Sequence, residues 1–224
     1  MQNHKVGLFF INGFMCKYNV FNDVSEYLSK TAKFNLYNDH YYEECNSSTS
    51  YLDYYISCVI NALKVSRHLI IIAFSRGCLV TRQIVDNFTS SKFTVVLLSP
   101  HYQFTRFDSI KYRIALNNIP TTTSIKELQI ASLGKDIFEK YESYMVEETV
   151  YWKEKVTSDL ASLICQVDNY NNYQSYYNFS HTIISDKSLP DVTGKSMFIL
   201  ENGHHFLPLH SGQKVAQIIQ SLEV

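Results

Sequence analysis

Ser75 stands in Ala73-Phe74-Ser75-Arg76-Gly77, between four consecutive aliphatics (Leu69 to Ile72) and a helically spaced stripe of Val80, Ile84, Val85 and Phe88. A strand, a tight turn and a helix around small-x-Ser-x-Gly is the setting of a nucleophile elbow, because only small residues fit two positions either side of the serine. Ala73 and Gly77 meet that demand. In such a turn the hydroxyl projects from the carboxyl end of a sheet, and the Arg76 N–H faces an oxyanion formed by attack on a carbonyl. The chemistry implied is acyl transfer, which needs a base to activate the serine.

A base is offered by Glu201-Asn202-Gly203-His204-His205-Phe206. His204 follows the glycine directly and is the first choice; His205 is the reserve. A carboxylate should orient the imidazole and should lie between serine and histidine in chain order. Asp186 is preferred: it follows the apolar Thr182–Ser185 and precedes Lys187-Ser188-Leu189-Pro190. Asp136 is its rival but is expected to open a helix, and Asp191 comes third. The second oxyanion donor is expected to be the N–H of Phe14, just past Asn12-Gly13, with Gly13 letting the backbone approach a ligand. Arg76, Arg106, Lys111 and Arg113 are candidate substrate contacts. Arg76 would read a substrate carboxylate or pair with a nearby acid. The other three would meet an acidic partner surface or form a solvated face with Asp108. The His204-His205 pair lacks further converging ligands, so no metal and no cofactor are expected.

Seven elements over the first 100 residues form the sheet and helices that must position these residues. Val6–Ile11, Phe34–Tyr37, Leu69–Phe74 and Thr94–Leu98 read as strands. Helices are expected at Asp23–Lys30, at the Leu52, Tyr55, Ile56, Val59, Leu63 stripe behind the Asn46–Ser50 cap signal, and after Ser75. Continuous apolar strands alternating with amphipathic helices imply an α/β fold, a mostly parallel sheet with helices on both faces. Residues 101–178 break the rhythm and are expected to form a helical lid insertion, with helices at Phe138–Tyr151 and Lys153–Val167 and an ambiguous Leu128–Ala131. Thr182–Ser185 and Met197–Leu200 return as strands, and Val215, Ile218, Ile219 and Leu222 close the chain as a helix. One domain is expected over 1–224.

Composition narrows the class. The chain has 224 residues, 7 Gly, 4 Pro, 17 Tyr and 14 Phe, with 46% hydrophobic and 18% charged residues. This excludes a disordered or collagen-like chain. A net charge of −1 argues against nucleic-acid binding by electrostatic footprint. No apolar run reaches the roughly 18 residues of a membrane span, and the short Val6–Ile11 run reads as a buried strand rather than a signal peptide. Five scattered cysteines without a CxxC pair suggest reduced thiols and a cytoplasmic protein. Glycine is scarce, and Gly13, Gly77 and Gly203 each flank a candidate site residue. No Gly-rich phosphate loop follows a strand, which disfavours a dinucleotide binder.

The order Ser75, Asp186, His204 resembles the α/β-hydrolase fold over nearly the whole chain, from that family's first parallel strand. Asp186-Lys187-Ser188-Leu189-Pro190 looks like its acid turn. Asn202-Gly203-His204-His205-Phe206-Leu207 is similar to the Gly-His-x-Phe-Leu stretch of type II thioesterases. More narrowly, Phe9-Phe10-Ile11-Asn12-Gly13-Phe14-Met15 and Ala73-Phe74-Ser75-Arg76-Gly77 resemble the Phe-x-Gly-Trp-Gly and Ala-Trp-Ser-x-Gly stretches of pimeloyl-acyl-carrier-protein methyl ester esterases of biotin synthesis. Asn118-Ile119-Pro120 and Phe138-Glu139-Lys140-Tyr141 look like their Gly-Ile-Pro and Phe-x-Arg-Arg segments, although those arginines and both tryptophans are missing here. The resemblance implies a monomeric serine esterase with a Ser-His-Asp triad, cleaving an acyl ester carried on acyl carrier protein. A thioesterase acting on acyl-carrier-protein or acyl-CoA is the alternative enzyme. A catalytically silent hydrolase fold used as a binding module is the non-enzymatic alternative.

Overall fold

The computed structural model describes residues 5–31, 33–44, 50–88, 93–100, 123–147, 180–185, 196–201 and 204–222. Its strands are β1 (Val6–Ile11), β2 (Phe34–Tyr37), β3 (His68–Phe74), β4 (Phe93–Leu98), β5 (His181–Ser185) and β6 (Ser196–Leu200). They form a sheet in the order β2-β1-β3-β4-β5-β6, and every pairing among them is parallel. All six strands fall within a residue of the apolar runs that announce them.

The central strands are buried on both faces, so alternate side chains enter two different cores. Phe9, Ile11, Leu69, Ile71, Ala73, Val95 and Leu97 face helices α3 (Tyr51–Val65) and α4 (Arg76–Asp86), meeting Tyr55, Val59, Val80 and Ile84, with Tyr41 and Tyr42 of the one-turn α2 (Tyr41–Glu44) in the same core. Leu8, Phe10, Ile70, Ile72, Phe74, Val96 and Leu98 face the other side, with Val24 and Leu28 of α1 (Asn22–Ser29). Val215, Ala216 and Ile219 of the C-terminal helix Gly212–Ser221 complete that layer. Each fully buried aliphatic contributes roughly 1.5–3 kcal/mol, so a sheet covered twice explains why these strands carry no polar alternation.

The chain runs from β1 outward to β2, then returns to place β3 on the opposite side of β1. In open α/β sheets, ligands bind beyond the carboxyl ends of the strands where the order reverses. That crevice lies between β1 and β3, whose last paired residues are Ile11 and Ala73. Asn12 and Ser75 therefore leave the sheet side by side.

Between β4 and β5, residues 123–147 form α5 (Ile125–Leu133) and α6 (Lys135–Tyr141), followed by a single 3₁₀ turn, Glu142–Tyr144. The ambiguous Leu128–Ala131 is thus helical. The helix expected over Phe138–Tyr151 instead ends at Tyr141. Its continuation is claimed by tertiary pairing: Lys17 N–H donates to the Tyr144 carbonyl at 2.8 Å, and Val146 N–H donates to the Met15 carbonyl at 2.9 Å. The remaining parts of 101–178, including the helix expected at Lys153–Val167, lie outside the described residues. Among the described residues no helix is long and apolar enough to cross a membrane.

Candidate active site

Ser75 sits between β3 and α4 with φ 52° and ψ −114°. Positive φ in a residue with a Cβ is strained and is held only where the surroundings impose it. The surroundings here are explicit. Ser75 N–H donates to the Leu98 carbonyl at 2.9 Å, and Cys78 N–H donates to the Ser75 carbonyl at 3.0 Å as α4 begins. Gly77 is required by close approach, since a Cβ there would lie 2.5 Å from the Ile11 carbonyl oxygen and 2.9 Å from that of Asn12. The elbow and the loop after β1 are therefore in backbone contact.

The structure brings His205, rather than His204, to the serine. His205 Nε2 lies 3.0 Å from Ser75 Oγ, a distance at which the hydroxyl donates to an unprotonated ring nitrogen. The His205 ring packs against Phe74, with centroids 5.4 Å apart, and meets Phe206 edge-on. His204 turns the other way. Its Nδ1 accepts the Phe206 N–H at 3.4 Å, and its ring lies 6.0 Å from that of Tyr141 and 6.2 Å from that of His210. Phe206 lies between the two, its ring 6.4 Å from that of His204 and 5.8 Å from that of His205.

Asp136 lies exposed in the first turn of α6, as a helix-opening aspartate would. Asp186 and Asp191 lie outside the described residues, as do Gly203, Arg106, Lys111 and Arg113. Ser185, immediately before Asp186, is buried at the end of β5, next to β6, the strand that leads to the histidine loop.

The Asn12-Gly13-Phe14 loop follows β1 as expected, and Met15 holds φ 51° within it. The Phe14 N–H meets no acceptor among the described residues. Gly13 meets a steric demand of its own. A Cβ there would strike the Phe74 ring at 2.7 Å, so this glycine makes room for the side chain that precedes Ser75.

Of the two roles expected for Arg76, the geometry matches the inward pairing. The residue is 3% exposed, and its side chain lies in a buried cluster. Arg76 Nη2 donates to the Tyr55 hydroxyl at 3.1 Å, and the guanidinium carbon lies 5.6 Å from the centre of the Tyr42 ring. The Tyr55 hydroxyl donates in turn to Asp39 Oδ2 at 2.8 Å. Burial opposes the guanidinium charge, but Tyr42, Tyr55 and Asp39 outweigh it and hold Arg76 above its ordinary range. Burial raises the Asp39 carboxyl, against donors from Asn12, Tyr41 and Tyr55 and the charge of Arg76. Asp39 carries no motif in the sequence. The one available signal was its place, just past β2 at the carboxyl end of the sheet.

Two cysteines near the elbow are not competing nucleophiles. Burial pushes the Cys16 thiol up to about 12 and the Cys78 thiol higher still, so both stay protonated and inert at neutral pH.

No family model and no curated protein matches the sequence. Solved structures do. A lipase-esterase related protein from Clostridium acetobutylicum is 18% identical with a TM-score of 0.64, over 100% of this chain and 96% of the other. BioG from Haemophilus influenzae is 13% identical with a TM-score of 0.55, over 93% and 94%. The fold is the α/β-hydrolase fold. A 1H-3-hydroxy-4-oxoquinoline 2,4-dioxygenase shares it at 12% identity and a TM-score of 0.68, over 98% and 91%. An α/β-hydrolase fold thus hosts chemistry other than ester cleavage, and function has to be argued from the site.

Proposed function

We propose that the chain is a serine hydrolase that cleaves a carboxylic ester through Ser75, His205 and Asp186. The observation that carries this reading is a serine held at φ 52° with an imidazole nitrogen 3.0 Å from its hydroxyl. Ser75 Oγ attacks the acyl carbon while His205 Nε2 takes its proton. The oxyanion is met by the backbone N–H groups of Phe14 and Arg76. His205 then protonates the departing alkoxide, leaving an acyl-serine. Water, deprotonated by the same imidazole, attacks the acyl-serine, releasing the acid and restoring Ser75. Asp186 is the residue proposed to hold the imidazole tautomer.

For the substrate, the methyl ester of a pimeloyl group on acyl carrier protein is the reading that the β1-loop and elbow resemblances support. The thioesterase alternative drew on a stretch that places its histidine at His204. The geometry supports His205 as the base, one residue out of that register, which weakens the likeness.

The test is labelling with a fluorophosphonate probe and turnover of a chromogenic short-chain ester, followed by methyl-ester against thioester cleavage on one carrier. Ser75→Ala is expected to abolish both labelling and turnover. His205→Gln should cost on the order of 10⁴-fold or more in kcat, whereas His204→Gln stays within about threefold. Asp186→Asn should fall about 10⁴-fold and Asp136→Asn should not. A folded wild-type chain that neither labels nor turns over would instead be a binding module.

A further inference from the structure

The loop and the elbow are each tied to one buried carboxylate that the proposed reaction does not use. Asp39 is 1% exposed. Its Oδ2 accepts the Asn12 N–H at 2.9 Å, and its Oδ1 accepts the Tyr41 N–H at 3.0 Å. The Asn12 side chain closes a second bond, Nδ2 donating to the Asp39 carbonyl at 3.1 Å. On the elbow side, Arg76 reaches the same Oδ2 through the Tyr55 hydroxyl. Asn12 lies two residues before one oxyanion donor, and Arg76 carries the other.

The cluster is poorly suited to a purely stabilising role. Arg76 Nε and Nη1 and Asn12 Oδ1 are buried without a hydrogen-bond partner among the described residues. Leaving such atoms unpaired is expensive, and buried charge pairs are often no more stabilising than apolar replacements. Its geometry instead fixes the spacing between two loops that the sheet leaves side by side. An error of about 1 Å in that spacing can cost on the order of 100-fold in rate.

We infer that Asp39 is a positioning residue of the oxyanion site, clamping the Asn12–Phe14 loop to the Arg76 elbow so that the two backbone donors converge. This rests on the serine-hydrolase reading above.

The experiment compares wild type, Asp39→Asn and Tyr55→Phe. It measures fluorophosphonate labelling, kcat and KM on a chromogenic ester, and inhibition by a trifluoromethyl ketone, whose adduct with serine places a negative oxygen in the same hole. Asp39→Asn is expected to lower kcat roughly 30- to 300-fold, near the loss of one oxyanion donor. KM should change less than about threefold, and trifluoromethyl ketone affinity should weaken in step with kcat/KM. Tyr55→Phe cuts the link to Arg76 but leaves the Asn12 bond, so a smaller loss of roughly 3- to 20-fold is expected with the same pattern. If Asp39→Asn does not fold, Tyr55→Phe decides alone. A labelled wild type whose folded variants keep kcat and ketone affinity within about twofold overturns the inference. Loss of activity with unmoved ketone affinity overturns it as well. A wild type that takes no label at Ser75 overturns the hydrolase reading and the inference with it.

Discussion

Gly77 carries a steric demand that can be tested without touching a polar group. An added methyl would meet the carbonyl oxygens of Ile11 and Asn12 at 2.5 and 2.9 Å, and both belong to backbone that is itself fixed. Gly77→Ala gains up to about 1 kcal/mol in helix propensity but forces α4 away from β1. Overpacking of this kind costs about 1–3 kcal/mol. The expected outcome is a lower melting temperature and a loss of ester turnover larger than the loss of stability explains, because the displacement parts the two proposed oxyanion donors, Arg76 on the elbow and Phe14 on the loop after β1. A variant with unchanged melting temperature and full turnover would show that the contact is slack. The elbow was legible because its chemistry is local: five consecutive residues must be small, nucleophilic and small again. The base was not. Choosing His205 over His204 depends on how an irregular loop packs on Phe206, and no periodicity distinguishes adjacent residues there. Asp39 had only its place past β2 to mark it, since its partners Asn12, Tyr55 and Arg76 are distant in sequence.

The elements tell a parallel story, with the loop after β1 gripped from a second side. Met15 presents its carbonyl to Val146 N–H at 2.9 Å and to Gln129 Nε2 at 3.3 Å. Both partners come from the insertion between β4 and β5. Helix α5 is itself fixed by a capping box, Ser124 Oγ accepting from Glu127 N–H and Glu127 Oε2 from Ser124 N–H. Ser124→Ala should cost about 1 kcal/mol locally. Hydrogen exchange should accelerate through Ile125–Leu133 and, if the loop is gripped as described, at Val146 and Lys17 too. Faster exchange confined to α5 would show that the insertion and the loop open independently. Strands announce themselves because burial on both faces demands unbroken apolar runs such as Leu69–Phe74. The end of α6 did not, because Lys17 and Met15 draw residues 144–146 into backbone pairing that helical periodicity cannot register.

At the scale of the whole molecule, stability should depend on pH in a way that separates holding the fold from positioning the site. Burial raises the Asp39 carboxyl above its ordinary value of 3.8. The favourable contribution of such a group is full below that value and is lost as pH rises through the folded-state value, because the fold prefers the proton more than the unfolded chain does. His68 has the opposite sign. Burial first and the Arg67 charge second hold it below 6.5, where it meets Thr94 Oγ1 at 2.9 Å across β3 and β4. Its contribution is full above 6.5 and is lost as pH falls through the lower folded-state value. Urea unfolding across about pH 3.5 to 7 can resolve the two effects. His68→Gln should flatten the fall in stability on the acid side of 6.5. Asp39→Asn should become progressively more stable relative to wild type as pH rises from the acid end, because the variant has no charge to desolvate. Its ester turnover should stay depressed over the same range. A carboxylate kept mainly to hold the fold would show the reverse slope, its replacement losing ground as the wild-type group ionises. A group whose ionisation strains the fold while its removal disables turnover belongs to the site, in the pattern by which active sites trade stability for activity.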